Sequence, residues 1–210
     1  MEAPDQAPAS LAYSNYQRLP SLVLGFHGCE REVGEAVLRG AEPHLLRSTN
    51  EHDWLGDGIY FWENDPVRAL EWAHECKDRP ELTKGKINDP FVVGAVIELG
   101  FCLNLLARDC LQELEVAYTL LKAVHQAAGT EMPKNQGPQG VLRFLDRAVI
   151  GMLHASRKKT PGYPEYDTVR SPFVEGSKLY PGAGFERKNH VQIAVRHSAR
   201  IRGYFRPLPD

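Results

Sequence analysis

Apolar and polar positions along this chain switch repeatedly between a period of two and a period near 3.6, with glycine and proline marking the changes. "LVLGFHG", Leu22 to Gly28, is a short apolar run closing on His-Gly, which predicts a core strand running into a turn. "CEREVGEAVLRG" then places Val33, Ala36 and Val37 at helical spacing, with Gly40 positioned to stop the helix. After the polar loop "EPHLLRSTNEHD", the run "WLGDGIYFWEN" puts Ile59, Tyr60 and Phe61 behind a Gly-x-Gly turn and reads as a half-buried strand. Asp65 and Pro66 sit where an N-cap and a first helical residue belong, and Leu70, Ala73 and Lys77 continue the period, predicting a helix over 66–77.

Further along, "RPELTKGKINDP" is a linker and "FVVGAVIEL" a buried strand by its β-branched content. "QELEVAYTLLKAVHQAAG" is an amphipathic helix ended by Gly129, "TEMPKNQGPQG" a loop, and "VLRFLDRAVIGMLHASRKK" a helix closed by basic residues that suit its dipole. Two strands are expected around 169–174 and near Leu179, and two more within "HVQIAVRHSARIRGYF". Strands and helices mix without a regular β-α-β alternation, and no G-x-G-x-x-G opens a helix after a strand. The fold class is therefore α+β, and a dinucleotide-binding doubly wound sheet is disfavoured.

The 210 residues suit one domain, 21–210, behind a loose N-terminal tail, 1–20. A net charge of -2 gives no overall attraction for nucleic acid, although Arg157, Lys158, Lys159, Arg196, Arg200, Arg202 and Arg206 form a local basic stretch. That stretch reads either as a solvated face or as a track for RNA or DNA phosphates. Four cysteines without a C-x-x-C pair, and no leader-like segment, point to reduced thiols and a cytoplasmic setting. The longest apolar run is interrupted by Glu98, Asn104 and two glycines, so no membrane partner is expected. "HGC" and "HEC" lack the further pairs a metal site needs, so no metal is expected.

Three separated pieces line up in order: "FHG" on the first strand, "GDGIYF" before the Pro-started helix, and "HVQIAV" in a late strand. Together they resemble the ADP-ribosyltransferase superfamily, in its poly(ADP-ribose) polymerase and diphtheria-toxin class. The resemblance covers about Leu22 to Phe205. It implies two small, mostly antiparallel sheets with flanking helices, enclosing a cleft for NAD as co-substrate. It implies that His27 bonds a ribose hydroxyl, that the Gly28 backbone pairs with the nicotinamide amide, and that Tyr60 packs on the nicotinamide ring. Trp72, or Trp62, becomes a wall of that pocket, although both also read as core. The implied activity is mono-ADP-ribosyl transfer, as in a toxin or defence effector, to a macromolecular acceptor, with nucleic acid slightly favoured over protein and an antidote protein as a possible partner.

Breaking the nicotinamide–ribose bond develops positive charge on the sugar, which a carboxylate stabilises. The family's third motif supplies a glutamate there, whereas this sequence has Gln192. A glutamine can bond a ribose hydroxyl but can neither neutralise a cation nor act as a base. The missing charge is sought in Glu175, on a glycine-bracketed loop, in Glu63, or in the substrate, with Glu175 favoured. Rival readings are a non-catalytic NAD or ADP-ribose-binding module of the same fold, a tRNA 2'-phosphotransferase-like enzyme, and an interaction protein with an inert cleft.

Overall fold

The computed structural model describes residues 22–83, 85–137 and 142–208; the expected tail and part of the loop after Gly129 lie outside them. In chain order the elements are β1 (Leu22–Glu30), α1 (Arg31–Leu38), β2 (Ile59–Glu63), α2 (Pro66–Asp78), β3 (Pro90–Glu98), β4 (Cys102–Asn104), α3 (Arg108–Ala128), α4 (Phe144–Lys159), β5 (Thr168–Phe173), β6 (His190–Val195) and β7 (Ile201–Phe205). The class is α+β. The strands follow the order β4-β5-β6-β2-β1-β3-β7, and every pairing is antiparallel except β4 with β5.

Local chemistry accounts for the helices. The Asp65 carboxylate accepts the Arg68 N–H at 2.8 Å with Pro66 in the first turn, so α2 starts where its cap dictates. Helix α3 ends on Gly129 in the left-handed region, φ 65°, and α4 ends on Arg157, Lys158 and Lys159 at the negative end of its dipole. The strand expected near Leu179 does not form: only an isolated bridge, Lys178 to Glu186, spans a hairpin that Pro181 and Gly182 keep out of the sheet. The short β4 was not anticipated. Gly100, at φ 57°, breaks the long apolar run and returns the chain to pair in parallel with β5.

Register divides the side chains between two faces. Phe61, Ile97, Ile193 and Val195 form the main core with Val37 and Leu45, on the face that α1 covers. The opposite face carries Phe26 and Trp62 under α2, and Val169 and Ala194 under α3 and α4. Gly28 is what lets α2 lie directly on the sheet: a Cβ there would stand 2.0 Å from the Ala69 carbonyl oxygen.

The middle of the sheet is its weakest line. β1 pairs with β3 from Leu22 to Glu30, yet with β2 only at Gly25↔Glu63 and Phe26↔Trp62. The two halves, β4-β5-β6-β2 and β1-β3-β7, are therefore joined through a short seam.

Candidate functional site

Where the seam ends, β1 and β2 separate. The Asn64 N–H bonds Leu24 O at 2.9 Å, so the antiparallel alternation turns the backbone groups of Leu24, Phe26 and Gly28 toward β2. The ladder stops at Phe26. The Tyr60 carbonyl, which continued pairing would give to Gly28, instead accepts the Nδ1–H of His27 at 2.7 Å. Gly28 thus turns its N–H and C=O toward the slot left where the β1–β2 ladder ends, and the residue itself is buried beneath α2. Burial holds the His27 imidazole below its ordinary pKa, leaving it neutral with Nε2 as the acceptor. Its ring lies 5.8 Å from that of Phe61, on the α1 face.

Tyr60 and Gln192 lie on the other face, in adjacent strands. Tyr60 pairs with Ala194, and Trp62 pairs with Gln192, which in turn pairs with Ser171 of β5. The Tyr60 hydroxyl is fully engaged by its own turn: it donates to Gly56 O at 2.7 Å and accepts the Leu55 N–H at 2.9 Å. Gly56 holds φ 78° to aim that carbonyl, which is the structural content of the Gly-x-Gly-x-Tyr spacing. Burial pushes the phenol well above its usual range, so Tyr60 acts as a fixed ring and not as an acid. Tyr60→Phe leaves Leu55 N–H without its partner and is expected to lower unfolding free energy by about 1–2 kcal/mol, read from a urea melt; an unchanged midpoint would refute the anchoring role.

The Gln192 carboxamide is half-buried and has no hydrogen-bond partner among the described residues. It is free to meet a ligand hydroxyl. Glu175 is not similarly free. Both of its oxygens take the Arg68 Nη2 at 3.1 Å, and Lys188 at the far base of the same hairpin pairs with Glu75 of α2. Glu63 is bound bidentately by Arg170, at 2.5 and 2.9 Å, on the α1 face away from Gln192. Trp72, itself in α2, sits 6.1 Å from Trp62 and packs against the core residues beneath the helix.

Two residues that sequence reasoning passed over frame this corner. Arg68 is 4% exposed, spreads its guanidinium 5.6 Å from the Trp62 ring, and splits its charge between Glu175 and Glu75. His190, two residues before Gln192 and so on the same face, donates Nδ1–H to Lys188 O at 2.6 Å, with a Glu175 oxygen 3.8 Å away. Burial lowers its pKa. Trp62 Nε1, Arg68 Nε and His190 Nε2 are all buried without a hydrogen-bond partner. One signal for Arg68 was present in the sequence: it borders the small apolar stripe of Ala69, Ala73 and Cys76, at whose edge a cation must be paired to be buried.

The basic stretch is largely neutralised. Arg157 meets Glu113, Arg196 meets Glu165, Arg200 meets Asp167 and Glu98, Arg202 meets Glu98, and Arg206 meets Glu35. Each of these arginines therefore has a carboxylate partner, and Arg202 and Arg206 remain about half exposed. No group of described histidines, cysteines or carboxylates has the geometry of a metal site, and no described helix is long and apolar enough to cross a membrane.

No family model matches the chain, and no solved structure matches it. A stretch of 60 residues, 28% of this chain, is 37% identical to an uncharacterized protein of Methanocaldococcus jannaschii, and the match spans 27% of that protein's length.

Proposed function

We propose that the protein is an NAD-dependent mono-ADP-ribosyltransferase that moves ADP-ribose onto a macromolecular acceptor. One observation carries this reading: β1, β2 and β6, which hold the three ordered motifs, are neighbours, and β1 and β2 part at His27–Gly28 opposite Tyr60. The seam supports the finer expectation of two half-sheets with a cleft between them. In the proposed reaction the nicotinamide carboxamide bonds the Gly28 backbone and its ring lies on Tyr60, with Trp72 as a wall. The bond from the nicotinamide nitrogen to the ribose carbon breaks with its electron pair leaving on the ring, which becomes neutral. The acceptor attacks the electron-poor ribose carbon, forming the new bond to it, and gives up its proton to solvent. Gln192 holds a ribose hydroxyl throughout.

A second reading, an NAD or ADP-ribose-binding module, is favoured by the corner just described: Gln192 is uncharged and Glu175 is held by Arg68. One experiment separates them. NAD labelled on the adenylate side is incubated with the protein and with RNA, single-stranded DNA or a nucleic-acid-free lysate, alongside Tyr60→Ala, Gln192→Ala and Glu175→Gln. Transfer predicts label on one fraction and free nicotinamide, both reduced at least about tenfold in Tyr60→Ala and Gln192→Ala. NAD binding without nicotinamide release would leave the binding module standing. With the arginines paired, charge no longer selects nucleic acid over protein, and the fractions decide the acceptor.

A further inference from the structure

A second cleft lies apart from this slot, between the C-terminal turn of α4, the turn that follows it, and the rim of the sheet at Phe101 and His197; its volume is about 750 Å³. That size falls in the range of small-ligand sites, and neither Tyr60 nor Gln192 lines it. Its wall is an aromatic platform built on one cation. The Arg157 guanidinium lies 4.3 Å from the Tyr166 ring centre, 5.2 Å from that of Phe101 and 5.7 Å from that of Tyr163. Phe101 stacks on Tyr166 at 4.3 Å with the planes 13° apart. Arg157 cannot turn away, because Glu113 grips it at 2.5 and 2.8 Å, the Tyr166 hydroxyl lies 3.0 Å off and Pro164 O accepts from it at 3.2 Å.

The platform is nonetheless unfinished. Phe101 is 43% exposed and Tyr163 58%, so each offers ring surface to the cleft that no side chain covers fully. Flat, sequence-tolerant stacking surface beside a guanidinium is what a heteroaromatic base uses. The charges around it are uneven. Asp167 is engaged by Arg200 at 2.7 Å and His197 at 3.1 Å, and Glu165 by Arg196 at 2.8 Å. Lys158 has no partner among the described residues and supplies the uncommitted positive charge. We infer that this cleft binds a nucleoside monophosphate unit, its base on Phe101 and Tyr163 and its phosphate at Lys158, either as a free nucleotide or as part of a single strand.

The inference does not rest on the ADP-ribosyl reading, and the test keeps the two apart. The intact protein is titrated calorimetrically with AMP, adenosine, inorganic phosphate and tetra-adenylate, together with Tyr163→Ala, Lys158→Glu and Gln192→Ala. Both cleft substitutions are at exposed positions, so folding is retained. Expected are AMP binding weakened about tenfold by Tyr163→Ala and loss of the advantage of AMP over adenosine in Lys158→Glu. Tighter binding of tetra-adenylate than of AMP assigns the unit to a strand, and equal binding to a free nucleotide. No binding by any probe overturns the inference. So does AMP binding that responds to Gln192→Ala but not to Tyr163→Ala, which places the nucleotide in the sheet slot.

Discussion

Gly28→Ala is expected to lose about 3 kcal/mol or more of unfolding free energy, at or beyond the upper end of overpacking changes. The new methyl carbon would stand 2.0 Å from Ala69 O, 3.0 Å from Ala69 C and 3.2 Å from Ala73 Cβ. The first two are backbone atoms inside α2, so no rotamer change relieves them; the helix must lift from the sheet. Lifting α2 exposes Phe26 and Trp62 and pulls Arg68 from Glu175, so the loss extends beyond one contact. Gly203→Ala on β7, which would meet nothing within 4 Å, is the control and should leave the urea midpoint unchanged or slightly raised. Equal midpoints for the two variants would mean that α2 does not sit on Gly28. In the same samples, Gly28→Ala should abolish any NAD-induced rise in melting temperature, because the slot opens beside this residue.

The second large effect is a loss of stability in mild acid centred on His154. This residue is buried in α4 against Tyr166, neither of its ring nitrogens has a partner, and burial, with Arg196 and Arg157 nearby, lowers its pKa from 6.5 to about 3. A histidine whose folded pKa lies below its unfolded value binds protons more readily when unfolded. Its contribution is complete above about pH 6.5 and is lost as pH falls toward 3, at about 1.4 kcal/mol per unit, on the order of 5 kcal/mol in all. His27 and His190 are lowered in the same direction. Glu113 and Asp167 add to acid lability: burial alone would raise them, but the bonds to Arg157 and from Phe101 N–H outweigh it and hold both below the usual carboxylate range. The His154 share is isolated by difference. His154→Phe keeps a ring against Tyr166, so its denaturation free energy should fall less steeply between pH 6 and 4 than the parent's, by about one proton's slope. Parallel curves would rule out a buried neutral imidazole.

Much of the local architecture was legible in the chain. The Asp65–Pro66 start of α2, the Gly129 stop of α3 and the strands β1, β3, β5 and β6 follow from caps and periodicity, which act within a few residues. What was not legible depends on pairs far apart in sequence. Glu175 looked like a free loop carboxylate because nothing near it in the chain reveals Arg68, 107 residues away. Glu63 and Arg170 are separated by the same distance. The arginines after Val195 read either as a solvated face or as an anion track, because their carboxylate partners, among them Glu35, Glu98 and Asp167, come from elsewhere in the chain. Tyr60 was found as a residue held in place, but its hydroxyl's return to Leu55 and Gly56 depends on the shape of the turn.

The sheet's outer limits have a consequence for how copies of this chain meet. A seven-stranded open sheet has two borders, and a long flat border invites another chain to add a strand. Here one border is β4, only three residues long. The other, β7, carries exposed Arg202 paired with Glu98 and is followed at once by Arg206 and Pro207. A neighbour approaching either border finds too little backbone to copy, or a charge and a residue without an N–H in its path. Among the described residues, neither border offers the long flat edge that strand addition needs.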